Sequence, residues 1–166
     1  MKALYSLAPA AETEIDAIFA LYAKRVAWMD AVGIRQWNAT DYLAVYPKAY
    51  YLAQCRAGRL YAWKAAHGGI VGAVVLFDED ERWQDAPATD ACYVHNLVTD
   101  PAEHGAGRAL LAAAEALAAA QGKQRMRLDC AVDNAFLNRY YTAAGYIPAG
   151  TCTDGPYSGN RMEKLL

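Results

Sequence analysis

Hydrophobic positions recur along this chain with two different periods, and the first of them is helical. Between Ala11 and Val32 apolar side chains repeat at the spacing of one helix face, which predicts an amphipathic helix. Acidic residues come early in this stretch and basic residues late, as the helix dipole favours, and Gly33 predicts the end. The apolar stripe consists of Ile15, Ile18, Phe19, Tyr22, Val26 and Met29.

The middle of the chain predicts a second helix and then a β-hairpin. Pro47 suits a first helical turn and Gly58 an exit, so we expect a helix over Pro47–Arg56, preceded by a loop around Trp37. The β-rich runs "RLYAWKAA" and "IVGAVVLF" flank the turn "HGG" and predict two paired strands. We expect the acidic stretch Asp78–Asp90 to be a connecting loop.

The second half of the chain returns to strands and helices in turn. "ACYVHNLVTD" predicts a strand, an Ala-rich helix follows to about Gln121, and the alternation in "RMRLDCAV" predicts another strand. A helix over Asn134–Ala144 comes next, and "YIPAG" and "RMEKLL" predict closing strands around a Gly/Pro/Ser loop. Together with a short extended piece at Lys2–Leu7, this order predicts an α/β (α+β) protein, one sheet covered by helices, in a single domain over residues 1–166.

The composition limits the kinds of partner expected for such a domain. The 166 residues carry a net charge of -2 with a pI near 5.9 and no long run of Lys or Arg, so nucleic acid is not an expected partner. The amino terminus has no signal-peptide pattern and no segment has the apolar length of a membrane span, so we expect a cytoplasmic protein without a membrane partner. The cysteines are far apart and suggest reduced thiols rather than a metal site or disulfides. They are Cys55, Cys92, Cys130 and Cys152.

Two glycines, Gly105 and Gly107, stand directly ahead of the Ala-rich helix in "HGAGRALL". They predict either a tight strand-to-helix turn or a loop whose backbone N–H groups bind an anion at the helix N-terminus. A dinucleotide-binding loop fits less well. Leu110 stands where G-x-G-x-x-G needs its third glycine, although Asp129 lies about twenty residues downstream, where a ribose-binding acid belongs.

Two segments resemble hallmarks of the GNAT superfamily of N-acetyltransferases. "LVTDPAEHGAGRALL" resembles the acetyl-CoA pyrophosphate loop, usually [Q/R]-x-x-G-x-[G/A]. "RLDCAVDNAFLNRYYTAAGY" resembles the segment N-x-x-x-x-x-x-Y-x-x-x-G-[FY], with Asn134, Tyr141, Gly145 and Tyr146 at the family's spacing. The resemblance covers the motifs over about Tyr93–Ile147.

The resemblance implies a fold and a cosubstrate. The fold would be a single mixed, largely antiparallel sheet flanked by about four helices, and the cosubstrate would be acetyl-CoA. Its pantetheine arm would insert where strand Tyr93–Thr99 splays from strand Arg125–Ala131. The residues implied in binding acetyl-CoA are Leu97, Val98, Thr99, His104, Gly105, Ala106, Gly107, Arg108, Asn134 and Tyr141.

One position departs from the family pattern. Ala102 stands where the family usually has Gln or Arg, so one side-chain contribution to the loop is missing while its backbone donors remain. His104 and Arg108 are the alternative sources of positive charge, unless they belong to a solvated turn.

Acetyl transfer to an amine needs a base for the amine and an acid for the departing thiolate. Tyr141 matches the motif tyrosine, and because a phenol is protonated at neutral pH we predict Tyr141 as the acid, with Tyr140 as a packing neighbour. His95 is the predicted base, since an unperturbed histidine titrates near about pH 6.5. A Glu or a water chain, which the family often uses, is the alternative, and Glu103 and Asp129 suit the task less well.

A covalent route is the weaker alternative. Cys92, Cys130 and Cys152 suggest an acyl-cysteine intermediate, but none of them has an activating partner in the sequence pattern.

The function that these features predict is an acetyl-CoA-dependent N-acetyltransferase acting on a primary amine of a small molecule or an amino terminus. Trp37, Tyr42 and Tyr46 either line the acceptor pocket or close the core. Association as a homodimer is left open. A non-catalytic acyl-CoA-binding sensor and a nucleotide-binding oxidoreductase are the alternatives from other functional classes.

Overall fold

Seven strands form one mixed β-sheet in the computed structural model, which describes residues 4–166. The strand order is β1-β2-β3-β4-β5-β7-β6. The β4–β5 pair is parallel, and the pairs β1–β2, β2–β3, β5–β7 and β6–β7 are antiparallel. The strands are β1 (Tyr5–Pro9), β2 (Leu60–Ala65), β3 (Ile70–Phe77), β4 (Ala91–Thr99), β5 (Arg125–Ala131), β6 (Ile147–Asp154) and β7 (Tyr157–Leu165).

Five α-helices accompany the sheet, and three short 3₁₀ helices lie at Glu12–Glu14, Trp37–Ala39 and Glu81–Trp83. None of the helices in the described part of the chain is long and apolar enough to cross a membrane. The α-helices are α1 (Ile15–Val32), α2 (Tyr42–Val45), α3 (Lys48–Arg56), α4 (Ala106–Ala120) and α5 (Ala135–Ala143).

The predicted hairpin and the main helices are confirmed, and three local predictions are wrong. The loop expected around Trp37 contains a 3₁₀ turn and α2. The loop expected before the last strand is mostly strand, because β6 and β7 pair as a hairpin down to Asp154 and Tyr157. Gly107 lies inside the first turn of α4, so only Gly105 precedes that helix. The extended piece predicted at Lys2–Leu7 is confirmed from Tyr5 on, and its first residues lie outside the described part of the chain.

The chain divides into two compact units, and the prediction of a single domain stays a prediction. The first unit ends at Leu76 and also includes Asn96–Ala114. It holds the strands β1 to β3 up to Leu76 and the helices α1 to α3. The predicted stripe of α1 faces its core, where Ile18 and Tyr22 are fully buried.

A close backbone approach fixes part of this first unit. A Cβ added to Gly72 in β3 would lie 2.7 Å from the carbonyl oxygen of Val98 and 3.1 Å from Thr99 Cγ2. Real Cβ atoms do not come this close to backbone, so only glycine lets β3 lie against the end of β4 here.

We therefore expect Gly72→Ala to destabilise the protein by about 1–3 kcal/mol, because backbone at Val98 has to move. Chemical denaturation measures this loss. Gly69→Ala is the matched control, since its Cβ would meet only the ring of the exposed His67, which can rotate away. Equal stabilities of the two variants would contradict the close approach.

The second unit comprises Phe77–His95 and Glu115–Leu166. The predicted strand β5 is confirmed, and Met126, Leu128 and Cys130 are buried, but Arg127 between them is buried as well and lies opposite Glu163 of β7. We call Asp78–Asp90 the connecting segment. Although the sequence predicted only an acidic loop there, its Trp83 is buried.

Trp83 fixes the connecting segment against the sheet. The guanidinium groups of Arg127 and Arg161 lie 4.7 Å and 5.2 Å from its ring centre, so two cation–π contacts flank one indole. Arg161 Nη1 also pairs with Asp85 Oδ1 at 2.5 Å, and Arg127 donates to the carbonyl oxygen of Pro87. Both contacts join the connecting segment to strands β5 and β7.

Candidate active site

The strand pairing and backbone conformation of β4 change along its length. Its first residues, Ala91–Tyr93, pair with β5 in parallel register. Asn96 then has a φ of +51°, which is the left-handed conformation and unusual for any residue inside a strand. The residues that follow, Leu97–Thr99, are those that the sequence predicts to contact the pantetheine arm, and Val98 and Thr99 are buried against β3.

Two basic residues of α1 hold the turn that follows β4. Arg25 Nη2 donates to the carbonyl oxygen of Thr99 at 2.6 Å and to its hydroxyl at 3.1 Å. Lys24 Nζ pairs with Asp100 Oδ2 at 2.7 Å, and Asp100 Oδ1 accepts the N–H of Ala102. The hydrogen bond from Lys24 is the main reason that the pKa of Asp100 is lowered. This turn is therefore fixed before α4 begins.

Backbone N–H groups come close together where α4 begins. Gly105 has a φ of +80°, and a Cβ added there would meet nothing within 4 Å, so its backbone is open to an approaching group. The first bond inside the helix runs from the N–H of Ala109 to the carbonyl of Gly105, and the earlier N–H groups precede that bond. Among them, the N–H of Ala106 donates back to Glu103 at 3.2 Å. The backbone N–H groups of Gly105 and Gly107 lie at the positive end of the helix dipole, where an anionic pyrophosphate fits.

The side chains around this loop differ in charge. His104 and Arg108 are both exposed and add positive charge when protonated. Glu103 is the one acid of the loop beyond Asp100, and its carboxylate accepts the hydroxyl of Tyr5 at 3.1 Å. Ala102, which replaces the family's Gln or Arg, contributes only its backbone.

His95 is paired with a carboxylate that the sequence did not reveal. His95 Nε2 lies 2.6 Å from Asp80 Oδ2, and both side chains are largely buried. Phe77 packs edge-on against the imidazole, with 5.1 Å between the ring centres. Because a carboxylate accepts the Nε2 proton, the neutral ring presents Nδ1 as its proton acceptor. The second unit thus contains a histidine whose orientation and tautomer are fixed.

Asp80 is ionised at neutral pH. Burial by itself raises the pKa of Asp80, but the hydrogen bond and charge of His95 outweigh burial and lower it. The backbone N–H of Arg82 donates to Asp80 Oδ1 at 2.9 Å, and the guanidinium of Arg82 lowers the pKa further.

Arg82 extends this polar network away from His95. Its guanidinium lies 3.2 Å from Asp129 Oδ2 and 2.9 Å from Asp154 Oδ2. Tyr157 donates its hydroxyl to Asp129 Oδ2 at 2.6 Å. Asp129 is thus engaged by a guanidinium and a phenol, which agrees with its being the weaker choice for a base.

The helix α5 carries the second motif. Asn134 caps this helix, since its Oδ1 accepts the N–H of Leu137 at 3.0 Å. Tyr141 packs edge-on against Tyr140 and Tyr146, with ring centres 5.4 Å and 5.8 Å apart. Burial, followed by the nearby Cys130 thiol, raises the pKa of Tyr141, so its phenol stays protonated at neutral pH.

The cysteines are poor nucleophiles in this structure. Burial raises the pKa of the Cys92 and Cys130 thiols to about 11, and burial also raises the pKa of the Cys55 and Cys152 thiols. Since the thiolate is the attacking species, all four side chains are weak nucleophiles at neutral pH.

The aromatic side chains predicted near the acceptor form one stacked group. Trp37 stacks on Tyr42 with ring centres 4.2 Å apart, and Tyr46 lies 4.9 Å from Tyr42. Tyr42 is buried, whereas Trp37 and Tyr46 are half-buried. Contact of the acceptor with these rings stays a prediction.

A model of the acetyltransferase (GNAT) family matches residues 31–146. The chain belongs to that family. The match contains both motifs and reaches back to the end of α1. A search of curated proteins by sequence found no match.

Solved GNAT structures share the fold over nearly the whole chain. A GNAT family acetyltransferase from Listeria monocytogenes superposes with a TM-score of 0.82 at 22% identity, covering 98% of this chain and 95% of that one. A GNAT family acetyltransferase from Streptococcus agalactiae gives a TM-score of 0.79 at 16% identity, with coverage of 98% and 95%. The PaiA N-acetyltransferase from Thermoplasma acidophilum, solved in complex with coenzyme A, gives 0.71 at 17% identity, with coverage of 98% and 99%. These likenesses confirm the predicted GNAT fold.

Within this GNAT acetyltransferase the predicted site residues fall into two groups. The first unit brings Leu97–Thr99 and His104–Arg108 together at the end of β4 and the start of α4. The second unit holds His95, Asn134 and Tyr141. The roles assigned to them in binding and catalysis stay predictions.

Two residues with unusual surroundings were missed by the sequence reasoning. Asp80 was one acid among several in a predicted loop, and only the fold places it beside His95. Asn96 stood inside a β-rich run, where an asparagine between histidine and leucine was the single available signal of a left-handed position.

Proposed function

We propose that this acetyltransferase moves an acetyl group directly from acetyl-CoA to a primary amine of a small molecule or of an amino terminus. One observation carries the proposal: β4 leads through a fixed turn from Leu97–Thr99 to the open backbone of Gly105 at the N-terminus of α4. An extended thioester arm ending in a pyrophosphate needs such a succession of backbone groups. The membership of the chain in the GNAT family supports this interpretation.

Acetyl-CoA, as the cosubstrate, would supply the acetyl thioester. The N–H groups of Gly105, Gly107 and Arg108 would bind its pyrophosphate, with help from the exposed side chains of His104 and Arg108. Backbone groups of Leu97–Thr99 would hold the pantetheine arm. An N–H near Val98 would donate to the thioester oxygen as negative charge develops there.

His95 would accept the proton of the acceptor amine. A neutral amine is needed for attack, and Nδ1 of the imidazole is the acceptor nitrogen once Asp80 holds the proton on Nε2. Asp80 would also stabilise the imidazolium that results, because it is ionised at neutral pH. Asp80 therefore acts through His95 as a positioning residue.

Tyr141 would donate its phenol hydrogen to the departing sulfur. The raised pKa of Tyr141 keeps the donor protonated at neutral pH. The same raised pKa makes Tyr141 a weaker acid than an exposed tyrosine, so it would hydrogen-bond the departing thiolate without losing its proton before the sulfur departs. The protonated cysteines disfavour an acyl-cysteine intermediate, which supports direct transfer.

Release of the CoA thiol over a panel of primary amines tests the proposal. We expect turnover with at least one amine and none without an amine. Binding of acetyl-CoA without turnover over the whole panel would identify an acyl-CoA-binding sensor, and tighter binding of NAD(P) than of acetyl-CoA would identify a nucleotide-binding oxidoreductase.

Gly107→Val should weaken acetyl-CoA binding by about 10-fold, the value of one charge-assisted hydrogen bond, because a β-branched side chain crowds the phosphate at the first turn. Titration calorimetry measures the affinity. Ala112→Val is the control, since it places the same β-branched side chain at an exposed position of the same helix, away from the first turn. Equal affinities of the two variants for acetyl-CoA would mean that "HGAG" is only a tight turn.

Two expectations accompany the proposal without a structural argument of their own, namely a cytoplasmic location and the absence of a nucleic-acid partner. Association as a homodimer stays an open question. Fractionation, a binding assay with duplex DNA or RNA, and light scattering test them separately.

A further inference from the structure

Three tyrosine hydroxyls from three helices converge on Asn96. Tyr22 of α1 donates to its main-chain carbonyl oxygen at 2.5 Å, and Tyr50 of α3 donates to its Oδ1 at 2.8 Å. Asn96 Nδ2 in turn donates to the hydroxyl of Tyr42 of α2 at 2.6 Å. The main-chain carbonyl and both polar atoms of the carboxamide of Asn96 therefore form hydrogen bonds. The tyrosines lie 46 to 74 residues from Asn96 in the sequence.

The convergence coincides with an unusual backbone. Asn96 is one of only two non-glycine residues with a positive φ in the described chain, and the only one in a strand. Asparagine tolerates the left-handed region better than most residues, but a strand offers no local reason to adopt it. The tyrosines, which lie outside the strand, stabilise this conformation because their hydroxyls form hydrogen bonds with Asn96.

The rings behind these hydroxyls form a closed circuit. Tyr42 contacts Tyr46, Tyr46 contacts Tyr50, Tyr50 contacts Tyr51, and Tyr51 stacks on Tyr22 at 4.4 Å between ring centres. Tyr22 closes the circuit with Tyr42 at 6.2 Å. Since each ring is held by its neighbours, the hydroxyls are fixed donors and acceptors. Burial also raises the pKa of Tyr22 and Tyr42, which keeps both phenols protonated.

We propose that Asn96, anchored by Tyr22, Tyr42 and Tyr50, is a positioning residue that directs the N–H groups of Leu97 and Val98 toward the thioester oxygen. The backbone angles at Asn96 set the direction of the peptide groups that follow it. Anchoring those angles holds the donors in place before the substrates bind, so no reorganisation is needed during the reaction. The inference rests on the proposed function, since it assigns a role within the same acetyl transfer.

The alternative is that this cluster only packs the core. The two interpretations differ in what the loss of a single hydroxyl does. Core packing depends on the rings, which Phe retains. Positioning depends on the hydrogen bond to Asn96, which Phe lacks.

Four variants separate these interpretations. Asn96→Ala and Asn96→Gly both remove the bonds to Tyr42 and Tyr50 and keep the main-chain carbonyl that Tyr22 bonds, but only glycine adopts a positive φ freely. Tyr50→Phe removes one anchoring hydroxyl from a half-buried ring. Tyr51→Phe is the matched control, because Tyr51 belongs to the same circuit and no hydrogen bond joins its hydroxyl to Asn96 in the described chain.

We expect kcat to fall by about 10²-fold in Asn96→Ala, as for other small misplacements of reacting groups, while the acetyl-CoA affinity changes little. Asn96→Gly should recover part of this loss, because it adopts the positive φ and keeps the carbonyl bonded by Tyr22. It should not recover all of it, because the bonds to Tyr42 and Tyr50 are absent. Tyr50→Phe should lower kcat and Tyr51→Phe should leave it unchanged. A loss in Asn96→Gly as deep as in Asn96→Ala, or equal rates for the two Tyr variants, would overturn the proposal.

Hydrogen exchange provides a readout that needs no activity. The amides of Leu97 and Val98 should exchange faster in Tyr50→Phe than in the wild type, and at the wild-type rate in Tyr51→Phe. Where Asn96→Ala does not fold, Asn96→Gly and Tyr50→Phe carry the kinetic test. If the wild type turns over no amine, the proposed function fails, and unchanged exchange in Tyr50→Phe overturns the anchoring of Asn96 independently.

Discussion

Exchange of His95 for glutamine is expected to lower kcat/KM by about 10²-fold near neutral pH, the lower end of the range for loss of a general base. Glutamine keeps a polar group of similar reach beside Asp80 but cannot accept a proton from the amine. The acidic limb of the pH profile of kcat/KM should therefore disappear or move in the variant. Steady-state kinetics between mildly acidic and alkaline pH measure both effects.

Two variants control for this experiment. His67→Gln changes an exposed histidine in the turn between β2 and β3 and should leave the rate and its pH profile unchanged. Asp80→Asn keeps the imidazole but removes its ionised partner, so it should lower kcat less than His95→Gln does while still affecting the pH profile. A pH profile for His95→Gln that matches the wild type, with a near-normal rate, would reduce His95 to a structural residue.

Tyr141→Phe is expected to lower kcat by about 10²-fold and to leave the acetyl-CoA affinity within a few-fold. The ring and its packing against Tyr140 and Tyr146 remain, so only the donor to the departing sulfur is lost. The effect should be larger for acyl donors with poorer leaving groups, because they depend more on assistance at the sulfur. Single-turnover kinetics establish that chemistry limits the measured rate.

Tyr140→Phe provides the comparison, since its ring neighbours Tyr141 on the same helix and has no predicted catalytic role. We expect its kcat to stay near the wild-type value. Nearly full activity in Tyr141→Phe, with chemistry rate-limiting, would mean that water or another residue protonates the thiolate.

The local patterns of the sequence predicted most of the fold. The α1 stripe and the "HGG" turn act over a few residues and are confirmed. The alternation in β5 correctly predicted a strand, although Arg127 is buried too. The two closing strands were predicted too short, because Gly150, Gly155 and Gly159 resemble a loop. At Gly159 a Cβ would lie 2.7 Å from the hydroxyl of Tyr157 and 3.0 Å from Cys152 Sγ of the paired strand.

The candidate site also contains features that local sequence patterns predict and features that they do not. The motif around Gly105 and the helix with Tyr141 are contiguous in sequence, so their pattern was visible. Asp80 lies 15 residues from His95, and Asn96 meets tyrosines that are much further away. Such pairs depend on the completed sheet and on helix packing, which no short window of sequence contains. Sequence therefore predicted candidate reacting groups, and the structure places Asp80 beside His95 and the tyrosines around Asn96.

The buried thiols have a consequence for oxidative damage. Peroxide attacks the thiolate, and the pKa of about 11 for Cys92 and Cys130 leaves almost none of that form at neutral pH. Neither side chain is accessible enough to meet an oxidant readily, as both are buried. The folded protein should therefore withstand peroxide without forming sulfenic acid at these positions, and unfolding should remove that protection.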